Sequence, residues 1–366
     1  MGLASGLTLP LVSLRLLEVR ASATAIAAMA ALPAVGTIGV SLWLSQLTRL
    51  LGSKSLLIGA MLLSCGSLLV LATPYTLLPW ATSRVLMGVS TGILFALGEA
   101  RILEVSGAEA RGRWTGVYAM TLTACQFAGP ALLAALGTNS VTPIAVAAVL
   151  HALAIALLFH TGWRSVISEP ESSLKLVDFL RNCVPLAVAV LFFAMFDSAM
   201  LSLLPVYGLK IGLATNLAVL MVTVVFLGDA SLQVLIGWAA DRFGRAGVHA
   251  ACGVVAACVA LALPLGLISS PAMWPALFLI GGAAGGLYTL AIVRIGDRFS
   301  GGALITANAF VGTLWGVGCL LGPLLGGASM EAVKPQGLML FVAAGAVAFL
   351  LSMLRRSPRE SPVSSH

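Results

Sequence analysis

The chain has 366 residues, of which 60% are apolar and only 9% charged, with a mean hydropathy of +1.06 and a formal charge of +7. A soluble domain carries about a quarter charged residues, so a water-soluble core is excluded and the composition is that of a membrane protein. In such a chain excess Lys and Arg sets orientation rather than nucleic-acid binding, so no nucleic-acid partner is expected.

An apolar helix needs about 20 residues to cross the hydrocarbon. Gly2–Leu17 comes first and is short, about 24 Å if helical. It lacks the basic start and small-residue cleavage pattern of a signal peptide. It reads as the outer part of a first span whose beginning is absent, through a mis-assigned start codon or as a genuinely short helix. Eleven full-length spans follow: Ser22–Leu47, Ser55–Ala72, Leu77–Ile102, Thr115–Leu136, Val141–Phe159, Val184–Tyr207, Asn216–Ala239, His249–Ile268, Met273–Val293, Ala303–Ala328 and Gly337–Leu354. Twelve membrane helices are expected. With a cytoplasmic N-terminus, inside loops, tail and adjoining span ends hold 15 Lys and Arg residues (Arg101 among them), outside loops and span ends hold 4 (Arg15 among them), and Arg84 lies deep within a span, which accounts for all 20. The positive-inside rule supports that orientation, with both termini cytoplasmic.

The longest polar connection is Arg164–Asn182, whose Ser-Glu-Pro-Glu-Ser-Ser centre reads as a linker before a short amphipathic piece, Leu174–Leu180. It divides the chain into an N-terminal six-helix bundle (1–163), the linker (164–182) and a C-terminal six-helix bundle (183–354). The tail, 355–366, is basic, then Ser- and Pro-rich, and reads as disordered. The halves repeat. A displacement of 193 residues lays Gly88 on Gly281, Gly92 on Gly285, Arg101 on Arg294, Glu104 on Asp297 and Gly129-Pro130 on Gly322-Pro323. One of 192 lays Arg49-Leu50-Leu51-Gly52 on Asp241-Arg242-Phe243-Gly244. Unrelated apolar segments would not align glycines, prolines and charges together. Parallel six-helix repeats of this kind build secondary transporters, with a substrate site at the repeat interface near the midplane.

Between the eighth and ninth spans stands Gly237-Trp238-Ala239-Ala240-Asp241-Arg242-Phe243-Gly244-Arg245. This stretch resembles the loop signature of the major facilitator superfamily, where it joins two helices on the cytoplasmic side and gates transport. Arg84-x-x-x-Gly88 is similar to that family's fourth-helix motif. Gly318-x-x-x-Gly322-Pro323-x-x-Gly326-Gly327 resembles its antiporter-associated glycine-proline motif, of which the fifth span keeps only Gly129-Pro130. Glu99, Gln233, Leu287-Tyr288 and Asn308 followed by Gly322-Pro323 resemble the YcaD-like branch. The first half departs at its own gate loop, Thr48–Lys54, which has no Asp. The resemblance covers the chain apart from the start of the first helix. It implies an all-α integral membrane fold of two six-helix bundles related by an internal repeat, with a truncated first helix. In that fold Asp241 faces the N-terminus of the fifth span, near Arg113–Gly116, whose positive end favours a carboxylate. Arg101 with Glu104, and Arg294 with Asp297, are i,i+3 pairs at equivalent helix ends. With Gly237, Asp241, Arg242, Gly244 and Arg245 they are expected to form a cytoplasmic gate, plain topology signals being the alternative.

Charges within spans cost at least about 2.5 kcal/mol at a helix centre and should face a cavity or a partner. Arg84 lies about 10 Å into the fourth span, and Glu99 about 22 Å further on. Asp197 is about 22 Å into the seventh span and Asp229 about 20 Å into the eighth, from the opposite side. A carboxyl alternating between buried and charge-paired surroundings binds and releases a proton. Asp197 or Asp229 is therefore the candidate proton carrier and Arg84 its modulator or a substrate anchor; hydrogen-bonded structural acids are the alternative. Tyr288 and Asn308 are weaker cavity candidates, or helix-to-helix hydrogen-bonding groups. His151, His160 and His249 read as interfacial or packing residues, and Met195, Met200 and Met221 as lipid-facing or core. Gly88, Gly318 and Gly322 permit close helix contact, and Pro130 and Pro323 can bend their helices. The cysteines, at 65, 125, 183, 252, 258 and 319, lie in apolar segments without metal spacing and read as buried small hydrophobes.

No Gly-x4-Gly-Lys-Ser/Thr phosphate loop, Ser-His-Asp set, HExxH or paired-carboxylate constellation occurs, which argues against an ATP-driven pump or a membrane enzyme. The favoured reading is a monomeric secondary transporter of the bacterial inner membrane. It exports a small solute by alternating access, using the proton gradient and no cofactor. Uptake or facilitated diffusion of a metabolite, and a non-transporting sensor or remnant, remain as alternatives. Lipophilic cations, sugars and organic acids are all open as substrates.

Overall fold

The computed structural model describes residues 1–105, 111–138, 141–160, 176–265, 271–299 and 301–354, and every regular element among them is an α-helix. The first half contains α1 (Gly2–Glu18), α2 (Ala23–Ser41), α3 (Leu44–Leu51), α4 (Ser53–Leu71), α5 (Leu77–Val105), α6 (Arg111–Leu136) and α7 (Thr142–His160). A short helix, α8 (Leu176–Asn182), precedes α9 (Val184–Lys210), α10 (Thr215–Phe243), α11 (Arg245–Ala262), α12 (Met273–Arg298), α13 (Gly301–Ala332) and α14 (Gly337–Leu354). Among the described residues nine helices are long and apolar enough to cross a membrane, and the apolar stretches Ala124–Leu136 and Thr142–Leu158 are shorter. Large apolar side chains such as Leu69, Leu78 and Val234 stand exposed on these helices, a surface suited to lipid tails rather than water.

The second span does not form the single helix expected over Ser22–Leu47. α2 ends at Ser41 and α3 restarts at Leu44. Ser41 Oγ donates to the Ile38 carbonyl at 2.7 Å, and the Trp43 N–H to the Val40 carbonyl at 3.0 Å. The backbone i,i+3 bond of Trp43 tightens the last turn and ends the α-helical spacing, and the Ser41 hydroxyl satisfies a further carbonyl there. Leu44 and Leu47 of α3 pack against the cluster of Val40, Leu56, Leu57, Ala60, Ile93 and Leu97, while Gln46, Arg49 and Leu50 are exposed. Such a two-faced helix suits a membrane surface better than a continuation of the span.

Contacts group the chain into two compact units, Met1–Ser168 with Leu201–Leu220, and Glu169–Met200 with Met221–His366. Chain order assigns 201–220 to the C-terminal bundle, so the grouping differs from the 183–354 boundary there. The stretch is one hairpin, the end of α9 and the start of α10 around Gly212 at φ 91°, and it groups as a block.

Within each unit the repeat is visible in backbone contacts. A Cβ on Gly88 of α5 would lie 1.9 Å from the Pro33 carbonyl oxygen of α2, and one on Gly36 of α2 2.1 Å from that of Val85. In the second unit a Cβ on Gly281 of α12 would lie 1.8 Å from the Val225 oxygen of α10, and one on Gly228 1.8 Å from that of Phe278. Each contact maps onto its counterpart by the displacements of 192 for α2 and 193 for α5. Gly129 of α6 meets the backbone of Gly6 in α1, and Gly322 of α13 meets Met195 and Ser198 in α9, the equivalent pairing. α1 ends at Glu18 and α9 at Lys210, also 192 residues apart. The two loop glycines correspond as well: Gly52 has φ 76°, ψ 148° and Gly244 φ 92°, ψ 130°, a region open essentially only to glycine.

Helices in lipid associate through close packing and hydrogen bonds. In the first unit Thr37 Oγ1 donates to the Gly88 carbonyl at 2.9 Å and Ser83 Oγ to that of Ser67 at 2.7 Å. Arg15, counted among the outside-loop charges, lies in the last turn of α1 and donates to the Leu71 carbonyl at the end of α4 at 3.0 Å. A cation at a helix C-terminus satisfies an orphan carbonyl there. Of the cysteines, Cys183 and Cys252 are buried as expected, whereas Cys258 is exposed on α11.

Gly88→Ala and Gly281→Ala should each destabilise the protein by about 3 kcal/mol, because the new methyl meets backbone rather than a movable side chain. Gly237→Ala, with nothing within 4 Å of the added Cβ, should be neutral or stabilising by about 0.5–1 kcal/mol. Thermal unfolding in detergent ranks the three variants.

Candidate functional site

Asp229 stands at middle length on α10 and is buried, 8% exposed. Gln233, one turn on, donates Nε2–H to Asp229 Oδ1 at 2.6 Å. The neighbouring helix makes room: a Cβ on Gly285 of α12 would fall 1.6 Å from Asp229 Oδ1. The repeat glycine therefore serves as a notch for the carboxylate. Thr37 is the equivalent of Asp229 in the first half. Gln233 Oε1 has no hydrogen-bond partner among the described residues, so the pair offers acceptor capacity to a proton or a donor group.

Asp197 lies on α9, 7% exposed, close enough to Cys319 of α13 to interact with it electrostatically. One turn earlier Phe193 stacks on Tyr288 of α12, with ring centroids 5.3 Å apart. Trp315 of α13 closes the group, 5.3 Å edge-on to Tyr288 and 5.7 Å from Phe193. Tyr288 is thus one ring of a three-helix aromatic cluster with a carboxylate one helical turn away. Sequence reasoning found Tyr288 and Asp197 but missed Phe193 and Trp315. The available signal was the i,i+4 spacing of Phe193 to Asp197 and of Trp315 to Cys319. Asn308 is exposed on α13.

At the α10–α11 loop, Arg245 pairs with Asp297 of α12 and lies 3.8 Å from Asp241. The guanidinium of Arg242 sits 5.6 Å from the Trp238 ring centre and 5.8 Å from that of Phe243, within cation–π range. Asp297 was expected to pair with Arg294. It reaches Arg245 instead, and Arg294 donates to His249 Nδ1 at 3.1 Å. His249 is fully buried, and its Nε2 lies 3.0 Å from the Leu287 carbonyl. A guanidinium only donates and a carbonyl only accepts, so this clamp holds His249 in the Nε2–H tautomer. His249, which reads from the sequence as an interfacial or packing residue, thus joins α11 to two points on α12. Arg298 donates to the Asn182 carbonyl at 3.0 Å, capping α8, while Phe179 of α8 packs on Phe299 and Phe310.

In the first unit Arg84 is fully buried, with Nη1 3.9 Å from the Met87 sulfur. Its Nε and Nη2 have no partner among the described residues. Arg101 is half-buried in the last turns of α5. The side chains of Glu99, Glu104, His160 and Arg113–Gly116 lie outside the described residues. His151 is buried, with Nδ1 2.8 Å from the Ala147 carbonyl and Nε2 3.0 Å from Ser64 Oγ. It borders an apolar cavity of about 280 Å³ between α1, α4, α5, α6 and α7. Gly318 and Gly322 seat α13 on α9, and α6 and α13 run unbroken through Pro130 and Pro323. Met200 and Met221 are core residues.

The family model for the Major Facilitator Superfamily matches residues 1–220 and 186–366. An uncharacterized MFS-type transporter, YfkF of Bacillus subtilis (strain 168), is 22% identical over 378 residues, covering 100% of this chain and 95% of the relative. The uncharacterized MFS-type transporter YcaD of Escherichia fergusonii is 23% identical over 297 residues, covering 78% of this chain and 75% of its own. Among solved structures, a D-xylose-proton symporter superposes with a TM-score of 0.74 at 16% identity, covering 98% of this chain and 95% of that one. A mutant of the nucleoside transporter NupG superposes with a TM-score of 0.75 at 12% identity, covering 96% and 98%. At these identities the two structures bear on the fold alone.

Two outcomes test the geometry. Arg84→Met should raise the apparent Tm by about 3 °C or more, because an unpaired buried charge is replaced by an apolar side chain of similar length. A double-mutant cycle on Arg245→Gln and Asp297→Asn should give a coupling below about 1 kcal/mol, since the two side chains are 39% and 50% exposed and open to screening by solvent.

Proposed function

The chain belongs to the Major Facilitator Superfamily and is a multi-pass membrane transporter rather than an enzyme, and on that premise we propose that it exports a small solute by proton-coupled alternating access. The observation that carries this reading is Asp229, a carboxyl at middle depth of an apolar helix, received by a glycine notch and bonded to Gln233. A carboxyl so enclosed holds a proton in one state of the cycle and releases it when water or a cation reaches it. Asp197, beside the cluster of Phe193, Tyr288 and Trp315, is the second carrier and borders the surface that meets solute. Asn308 lines the solute path from α13, and Glu99 extends the proton path along the fourth span.

Closure on the cytoplasmic side falls to the α10–α11 loop, where Asp241, Arg242 and Arg245 stand by Asp297, with Gly237 and Gly244 shaping the backbone. Arg101, Glu104 and Arg294 act at the same ends of the fourth and tenth spans. Pro130 and Pro323 supply the bends that the cycle uses. The protein acts as a monomer in the bacterial inner membrane with both termini cytoplasmic, driven by the proton gradient without a cofactor.

The test is retention of labelled drugs, sugars and organic acids in export-deficient cells, with and without a collapsed proton gradient. Wild type should lower the retention of at least one compound only when the gradient stands, and the Asp197→Asn/Asp229→Asn pair should abolish that loss. Export that persists undiminished in the pair sinks the proton-carrier assignment.

A further inference from the structure

Trp80 and Arg84 stand four residues apart on α5 and so share one face of the helix. Each is only 1% exposed. Trp80 Nε1, Arg84 Nε and Arg84 Nη2 all lack a hydrogen-bond partner among the described residues. The remaining Arg84 nitrogen reaches only the Met87 sulfur at 3.9 Å, a weak acceptor. The face is directed away from exposed Thr82. The adjoining face of α5 has its polar groups satisfied, with Ser83 and Ser90 donating to carbonyls of α4.

What remains is a set of three buried donor nitrogens of one polarity. Indole and guanidinium donate and never accept, so they cannot satisfy each other. Buried polar atoms are ordinarily paired, and a buried charge without a counterion is costly. The chemistry that satisfies all three is a negatively charged group with acceptors and no donors. A second cation would add like charge beside the guanidinium, and a sugar hydroxyl would bring no charge to balance it. A carboxylate matches the planar fork of the guanidinium and still has a lone pair for the indole.

We propose that Trp80 and Arg84 form an oxyanion site within the first unit, and that the solute this protein moves carries a carboxylate or a similar oxyanion. This rests on the transport reading above and selects organic acids from the classes that reading leaves open. Arg84 supplies charge and two aligned donors; Trp80 supplies the third donor and directionality.

The test uses the full chain, purified in nanodiscs, with benzoate, succinate and citrate as probes. Benzamide and benzylamine serve as neutral and cationic counterparts of benzoate. At least one carboxylate should bind and raise the Tm, while the amide and the amine do neither. Trp80→Phe keeps a ring to pack edge-on against Tyr75, 5.3 Å away in the wild type, and removes only the N–H. It should weaken that carboxylate about tenfold, and Arg84→Lys, which keeps the charge but loses the fork, should weaken it further. The proposal is overturned if no carboxylate binds wild type, or if both folded variants bind as well as wild type. Flux of the same compound is read separately in proteoliposomes. Binding without gradient-driven flux counts against the export reading and leaves the site standing.

Discussion

In lipid, two apolar helices gain nothing from hiding their surfaces from one another, because the tails around them are equally apolar. Contact must come from approach close enough for dispersion and for weak polar interaction between backbones. The four glycines at 36, 88, 228 and 281 permit that approach, bringing α2 onto α5 and α10 onto α12 until a carbonyl occupies the space of the missing methyl. Their placement fixes which faces of these helices are left for side-chain chemistry. Gly285, one turn beyond Gly281, receives the Asp229 carboxylate because the helices are already this near. Thr37, the equivalent residue of the first half, uses the same proximity to bond the Gly88 carbonyl. One crossing thus yields a structural hydrogen bond in one unit and an ionisable site in the other.

The buried polar groups fall into two kinds by how they are satisfied. Ser83, Ser90, Thr37 and His151 each find a carbonyl or hydroxyl on a neighbouring turn or helix, and fix helix positions. Arg84, Trp80 and the carbonyl oxygen of Gln233 find no partner among the described residues, nor do Tyr207 Oη, Thr223 Oγ1 and Gln336 Oε1. An unsatisfied polar group in a low-dielectric interior costs more than the bond it forgoes, so each of these is stabilised by any bound group that supplies the missing bond. On α5 the unsatisfied set is donor-only, which is the feature behind the oxyanion proposal.

At the α10–α11 loop the charges are arranged by reach rather than by sequence spacing. The i,i+3 geometry of Arg294 and Asp297 suggests a pair along one helix, yet Arg245, opening the neighbouring helix, lies across from Asp297. Arg294 is drawn instead to His249, whose ring is fixed between a guanidinium and a carbonyl. The loop itself turns at Gly244 with a backbone conformation that a side chain would disfavour, as does its counterpart Gly52. The missing Asp of the first-half loop leaves that backbone geometry intact, so the turn and the charges are separable features.

The sequence by itself determined the membrane class, the all-helical fold and the repeat, because each follows from short-range rules: apolar length, and glycine, proline and charge recurring at one displacement. It also picked out Asp197, Asp229 and Arg84, since a charge within an apolar run is conspicuous without any structure. Only the tertiary structure decided which of these are satisfied and by what. That Asp229 sits in a notch at Gly285, that Tyr288 belongs with Phe193 and Trp315, and that His249 takes Arg294 are contacts between helices distant in sequence. The break of α2 at Ser41 leaves no mark in hydropathy for a related reason, since Leu42, Trp43 and Leu44 are as apolar as the span before them. Hydropathy records how much a residue avoids water; it carries no information on which neighbour it meets, and the site is made of neighbours.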